Sequence, residues 1–403
     1  MITFDDSISG KNLSAKIKVL GVGGAGNNTV NSMIRQEYDS NIEFIVANTD
    51  AQALEASTAK NKIQLGIKLT KGLGSGANPE IGKRAAEEDL DKILEVIDGA
   101  DIVFLAGGMG GGTGSGALPV IAKALREHNI LTIAIVTKPF TFEGKRRDKV
   151  ATEAIKNLQH IVDTLIVIPN QKLLDVAGES IPMIEAFEMI NDILYQSVKG
   201  ISYIITRSGH INVDFADLRV IMKDMGCAVM GTGRASGNNR AINATREAIS
   251  SPLLENMNIN GAKGVLINIS GGPSLSLQEI HEAASVIYEQ ADEQANIILG
   301  SVIDQNMNDD VIVTVIATGC QPQIQDEEPK TIAIELQEET IATLEKEEIK
   351  EEISIKASTR DRKSEESKII TQYINHEPID LSDIDVPTFL RQEVEDDENK
   401  VQE

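Results

Sequence analysis

Seven glycines in ten residues, "GGMGGGTGSG" from Gly107 to Gly116, separate the apolar run "DIVFLA" from the helical pattern "ALPVIAKALREH". Glycine loses more backbone freedom on folding than any other residue, so such a cluster implies positive φ angles or something pressed against the backbone. A strand that turns into a helix over this much bare backbone presents N–H groups at the helix start to an anionic ligand. A flexible linker fits poorly, because the segment is short and both flanks read as ordered.

The flanks belong to a longer alternation. From Lys16 the apolar runs "IKVLGVG", "IEFIVANTD", "DIVFLA", "ILTIAIVT" and "TLIVIP" are separated by amphipathic patterns, among them "IGKRAAEEDLDKILEVI", read as one helix with Ile81, Ala85, Leu90, Ile93 and Ile97 near one face. Strands apolar throughout, with helices between them, imply a parallel sheet covered on both faces. "IPMIEAFEMINDILYQSVKGISYII" reads as a long helix buried on several sides, a spine between two halves. Beyond it a second α/β unit runs to about Gly319, giving two domains and an appendage, as expected for 403 residues.

The formal charge of −24 is unevenly spread: residues 321–403 hold 24 acids and 10 bases, a net −14. Such a tail repels nucleic acid and anionic membrane, which disfavours direct nucleic-acid binding. It ends in "DLSDIDVPTFLRQ", whose apolar residues on a solvated tether suit a peptide that folds on a partner. Cys227 and Cys320 lie far apart in sequence, which suggests a reducing compartment without a disulfide framework. The first residues carry acids and no continuous apolar core, so a secretory signal is not expected, and the uncharged window from Asp101 to Lys123 is too glycine-rich to span lipid.

A second glycine cluster, "GVGGAGNN", follows the first apolar run. Gly21, Gly23 and Gly26 satisfy G-x-G-x-x-G, with Asp50 at the end of the next strand, so a dinucleotide-dependent oxidoreductase is one reading. Two such clusters at two strand ends, with a third glycine-rich turn "KGLGSGANP", could instead wrap a triphosphate from several sides. A Walker A loop is absent, since Lys11, Lys83 and Lys145, which follow glycines, precede Asn or Arg rather than Ser or Thr.

"GGGTGSG" at Gly110 to Gly116 resembles the signature of the tubulin/FtsZ superfamily. "NTDAQAL", "GANPEIGKRAAEE", "TKPFTFEGKRR", "NVDFADLR" and "AISSPLLE" extend the resemblance from Lys16 to Gly319. It implies a Rossmann-like GTP-binding domain over 16–177, a central helix over 178–205 and a smaller α/β domain over 206–319. A flexible N-terminus over 1–15, a disordered acidic linker over 320–378 and a partner-binding peptide and tail over 379–403 complete the chain. The implied function is that of a GTPase that polymerises head to tail into a cell-division ring in the cytoplasm at mid-cell, using GTP and Mg2+. Residues 383–391 would bind membrane-tethering and regulatory division proteins, without direct membrane insertion.

The resemblance also assigns residues. Gly24, Ala25, Gly26, Asn27 and Asn28 match a first phosphate loop, and Gly110, Gly111, Gly112, Thr113 and Gly114 a second, where the Thr113 hydroxyl adds a donor. Glu143 and Arg147 match ribose and phosphate contacts; seen alone they read as an exposed charged turn. Asn170, Phe187 and Asn191 match the guanine end. Phe187 and Asn191 share a helix face, whereas Asp192, also suited to guanine donors, lies about 100° around, and plain core packing is the other reading of Phe187. Asn212, Asp214 and Asp217 match an acidic loop that completes the site of the next subunit, although D-x-x-D before an apolar run also reads as a helix cap.

Two features depart from the family pattern. Arg391 is followed by the acidic "QEVEDDENKVQE", and His210 precedes "INVDF" where an apolar residue is usual. A plasmid-segregating filament of the same superfamily fits the terminal peptide and the "NVDFADLR" loop less well.

Overall fold

The computed structural model describes residues 15–36, 42–177, 181–206, 213–251, 253–254, 261–305 and 307–320. The 383–391 peptide, with the rest of the tail, lies outside them.

The chain alternates strands and helices: β1 (Ile17–Val22), α1 (Gly23–Arg35), β2 (Ile42–Asn48), α2 (Ala51–Glu55), β3 (Asn61–Gln64), α3 (Ile67–Thr70), α4 (Pro79–Glu88), α5 (Leu90–Ile97), β4 (Ile102–Gly108), α6 (Gly112–Glu127), β5 (Leu131–Lys138), α7 (Lys145–Gln159), β6 (Thr164–Pro169) and α8 (Asn170–Ala177). The long helix α9 (Met183–Thr206) leads to α10 (Phe215–Met222), β7 (Gly226–Ser236), α11 (Arg240–Ile249), β8 (Gly264–Gly271), α12 (Leu277–Tyr288), β9 (Asn296–Ile303) and β10 (Asp310–Thr318).

One ten-stranded sheet runs through both halves in the order β3-β2-β1-β4-β5-β6-β7-β10-β8-β9. β1 to β7 are parallel, as the apolar runs imply, and β7 joins β6 over the short register Thr164–Ile166 to Gly226–Ala228. In the second half the direction changes at β10, which runs antiparallel to β7 and β8. Residues 304–309 carry the chain from β9 past β8 to its far side, where β10 returns in the opposite direction; a parallel return needs a longer crossover.

Strand alternation sorts the buried side chains into layers. Ile17 and Val19 face one layer with Val30 and Met33 of α1 and with Ile190, Leu194, Val198 and Ile201 of α9. Leu20 and Val22 face the other, against Ile93 of α5 and Leu118 and Ile121 of α6. Val265, Ile267, Val311 and Val313 pack with α11 and α12 in a third cluster. The spine helix is buried along much of its length, but its first turns are not: Met183 and Ile184 are exposed.

The pattern over Ile81–Ile97 is two helices, not one. Asp89 interrupts it, because its buried carboxylate accepts the Gly66 N–H at 2.7 Å and pairs with Lys92 at 2.6 Å. An acid tied to a loop outside the helix ends one segment and starts another.

Arg240 is buried at the start of α11, where Nε meets Glu279 at 2.7 Å and Nη1 meets Asp309 at 2.7 Å. Glu279 also closes a capping box with Ser276 at the start of α12. The Arg240 hydrogen bond holds the Glu279 carboxyl well below the ordinary 4.5, at about 2. A depressed folded-state value contributes stability that is present above about pH 4.5 and lost as the pH falls toward 2. Glu279→Gln should therefore unfold at a lower temperature at pH 7 and show a shallower acid limb, so that thermal scans of variant and native chain converge near pH 2. A gap that stays constant between those pH values would place the stabilisation elsewhere.

Candidate functional site

In the order β3-β2-β1-β4-β5-β6 the chain fills one side of β1 and then the other, so β1 and β4 flank a topological switch point. Ligands of open α/β sheets bind beyond the carboxyl ends of the strands at such a point. There α1 follows β1 directly through Gly23 at φ +74°, and α6 follows β4 within a few residues. A Cβ on Gly23 would stand 3.2 Å from the Gly114 nitrogen, so the two helix starts touch.

Neither start is capped by a side chain, and neither first turn holds an acid. Elsewhere Asp50, Asn78, Asp214 and Ser276 cap α2, α4, α10 and α12. Four N–H groups at each bare start lack intrahelical acceptors, and the partial positive charge of each macrodipole adds to them. Two such ends side by side favour a polyanion more than either does alone. The α7 start also lacks a side-chain cap, with Gly144 at φ +100° before Lys145, Arg146 and Arg147, although its first turn holds Asp148, paired with Lys138 at 2.9 Å.

The glycines divide into two classes. Gly24, Gly111 and Gly144 have nothing within 4 Å of a built Cβ, which leaves their faces open. At Gly112 a Cβ would meet the Ser75 Oγ at 2.3 Å, at Gly114 the Gly108 carbonyl oxygen at 2.5 Å, and at Gly116 the Pro79 carbonyl oxygen at 2.0 Å. Gly82 of α4 answers from the other side, where a Cβ would stand 2.2 Å from the Gly112 oxygen. Gly26 is likewise buried, its built Cβ 2.5 Å from the Ala106 oxygen. The reading of both clusters as loops is thus corrected: Gly24 to Asn28 lie in α1 and Gly112 to Gly116 in α6. Gly112, Gly114, Gly116 and Gly26 are glycine because other backbone is already there. Gly110, at φ +102°, lets its N–H reach the Ser115 hydroxyl at 2.9 Å and closes the turn.

Ala25 and Asn28 are exposed on α1, whereas Asn27 is 2% exposed with neither side-chain polar atom paired. Asn170, 6% exposed at the end of β6, leaves its Oδ1 unpaired. Buried amides without partners are costly, and at a site they mark where a ligand or water completes the bonding. The Thr113 hydroxyl turns inward, 2.7 Å from Thr49 and 3.1 Å from Ser75. Glu143 accepts the Phe140 N–H at 3.0 Å and pairs with Arg147 at 2.5 Å, which ties the turn after β5 to α7.

Phe187 is 41% exposed and meets buried Phe140 edge to face, with centroids 5.6 Å apart. Phe140 stacks in turn on Phe142. Phe187 is therefore held against Phe140 yet partly open to solvent, not buried as core. Asn191 accepts from Thr29 at 3.3 Å, in the second turn of α1, while Asp192 accepts from Gln36 at 2.8 Å, at that helix's far end. The sequence singled out the Thr113 hydroxyl but neither Phe140 nor the Thr49 and Ser75 hydroxyls that meet it; "KGLGSGANP" contained Ser75, but only as a turn.

The acids lie at the other end of the sheet. Asp214 caps α10, its Oδ1 accepting the Asp217 N–H at 2.8 Å, and Asp217 is exposed. Arg219, two residues on, reaches the Asn129 oxygen just before β5, and Thr164 at the start of β6 bonds the Met222 oxygen. The length of β5, on the order of 25 Å, separates this edge from the glycines. Asn212 and His210 lie outside the described residues. Asp50 accepts the Gln52 and Ala53 N–H groups as a helix cap, an engagement that competes with the ribose role of the dinucleotide reading. Among the described residues no group of three acids, histidines or cysteines is placed to hold a metal ion, and no helix is long and apolar enough to cross a membrane.

Residues 16–178 match the model of the Tubulin/FtsZ family, GTPase domain, and residues 226–321 that of the FtsZ family, C-terminal domain. An empty FtsZ dimer from M. jannaschii is 41% identical, with a TM-score of 0.73 over 77% of this chain and 89% of that one. A point variant of the same FtsZ is 42% identical, with a TM-score of 0.73 over 76% and 92%. CetZ2 from Haloferax volcanii, solved as a GTPγS-bound protofilament, is 22% identical, with a TM-score of 0.65 over 76% and 93%; at that identity it is alike in fold.

The two glycine classes predict opposite responses to one methyl group. Gly116→Ala should lower the unfolding free energy measured by urea titration by about 1–3 kcal/mol, because α4 and α6 must separate. Gly24→Ala should stay within about 0.5 kcal/mol of the native chain.

Proposed function

This chain belongs to the tubulin/FtsZ family of GTPases, and from that premise we propose that it assembles head to tail into protofilaments that scaffold a cell-division ring. The observation that carries the reading is the distance between two halves of one active site. Bare helix starts suited to a triphosphate occupy the carboxyl edge of the sheet, and the acids suited to orienting water occupy the other. One copy cannot bring them together. A second copy stacked along the strand direction can.

In this reading Gly24, Ala25 and Asn28 of α1, with Gly110 and Gly111 just before α6 and Gly112 and Gly114 in its first turn, face the phosphates through backbone N–H groups, and Gly26 holds α1 close to the sheet. Asn27 and Asn170 gain partners from the nucleotide. Arg147, held by Glu143, complements phosphate, and Glu143 lies near the ribose. Phe187 stacks on guanine. Asn191 reads its edge, favoured over Asp192 because the latter is tied to Gln36.

The bound triphosphate is hydrolysed to GDP and phosphate when the acidic loop of the next copy arrives. Asp217, exposed in the first turn of α10, orients the attacking water; Asp214 fixes that turn as its cap, and Asn212 joins them. Magnesium keeps most of its ligands as water and phosphate oxygens, which suits a site without a side-chain cluster, and it would offset phosphate charge. Residues 383–391 then recruit tethering and regulatory division proteins in the cytoplasm at mid-cell.

Hydrolysis per molecule, followed against protein concentration with light scattering in parallel, tests the shared site. Activity should appear above a threshold concentration, and Asp217→Ala should still scatter while hydrolysing at least about 100-fold more slowly. A rate per molecule independent of concentration would mean that the monomer holds a complete site.

A further inference from the structure

Thr49, Thr113 and Ser75 place three hydroxyls in a row, with Thr113 in the middle, 2.7 Å from one and 3.1 Å from the other. All three are at least nine-tenths buried. They come from three elements: the residue after β2, the first turn of α6, and the turn before α4. The row has three protons and two internal bonds. One proton is therefore left for a partner outside the row, and its position depends on which oxygens donate.

The site fixes the choice. On α9, Phe187 meets Phe140 just after β5 and Asn191 meets Thr29 of α1, so a nucleotide with its base on Phe187 and its phosphates across the starts of α1 and α6 has its terminal phosphate toward the β2 side, where Thr49 and Ser75 stand. Resting on the GTP site proposed above, we propose that Ser75 is a positioning residue that turns the Thr113 hydroxyl toward the terminal phosphate. With an anion at the start of α6, Thr49 and Ser75 both donate to Thr113, which donates outward. Each donation polarises the next, so Thr113 is a stronger donor than a lone hydroxyl.

The link also runs outward into the turn. Lys71, Gly72, Gly74, Gly76 and Ala77 all have positive φ, which for Lys71 and Ala77 is strained. Backbone bonds from Gly74 to the Thr49 oxygen and from Ala51 to the Gly72 oxygen hold the turn to the end of β2. Ser75 alone in it reaches α6 by a side-chain hydrogen bond among the described residues.

The test compares GTPγS and GDP affinities of the full-length chain below its assembly threshold, by displacement of a fluorescent nucleotide. Ser75→Ala should weaken GTPγS by about three- to tenfold and leave GDP unchanged. In a Thr113→Val background the same substitution should change nothing. Equal loss for both nucleotides would overturn the proposal, as would a Ser75→Ala effect that persists in the Thr113→Val background. Should Thr113→Val not fold, Thr113→Ser keeps the hydroxyl, and the selective loss must then survive in that background or the proposal falls. A native chain that binds neither nucleotide would refute the GTP site itself, and is seen before any variant is made.

Discussion

The nucleotide face depends on how closely α4 and α6 approach each other. Pro79 and Gly82 on one helix and Gly112 and Gly116 on the other meet backbone to backbone, at separations that leave no room for a Cβ. The approach seats the start of α6 beside the start of α1, where Gly23 meets Gly114. It also brings the turn before α4 against α6, which puts Ser75 within reach of Thr113. Without it there would be two helix ends near a sheet, but no shared concavity and no hydroxyl row.

This contact explains why the glycine cluster stands out in the sequence and why its glycines do not all serve one purpose. Glycine reports close approach without saying what approaches. The density of Gly107 to Gly116 pointed correctly to a special backbone at a strand end, and the natural inference was a ligand along all of it. At Gly111 the face is open; at Gly112, Gly114 and Gly116 the neighbour is another part of the chain. The distinction needs the position of α4, which lies some thirty residues earlier and leaves no mark in the ten residues themselves.

The fold was legible where periodicity alone decides it. Apolar strands and amphipathic helices gave the parallel half and the spine helix, because burial on both faces leaves a local signature. Direction did not follow from burial: β10 is as apolar as β4, yet it runs the other way. Nor did the break at Asp89, whose cause is the Gly66 N–H, remote in sequence. Likewise the spacing of Asp214 and Asp217 left capping and catalysis open. The cap is present, and it holds Asp217 in the first turn of α10, so the two readings are compatible.

The strand directions have one more consequence. Because the carboxyl edge of the parallel sheet gathers the glycines and the amino edge the acids, the molecule is a vector, and no two-fold pairing of like faces satisfies both. In the proposed assembly the copies therefore form an open series with unlike extremities. One terminal copy shows its acids to solvent and the other shows its nucleotide. That last triphosphate has no neighbour to supply an acid, so the filament keeps one end charged while its interior ages.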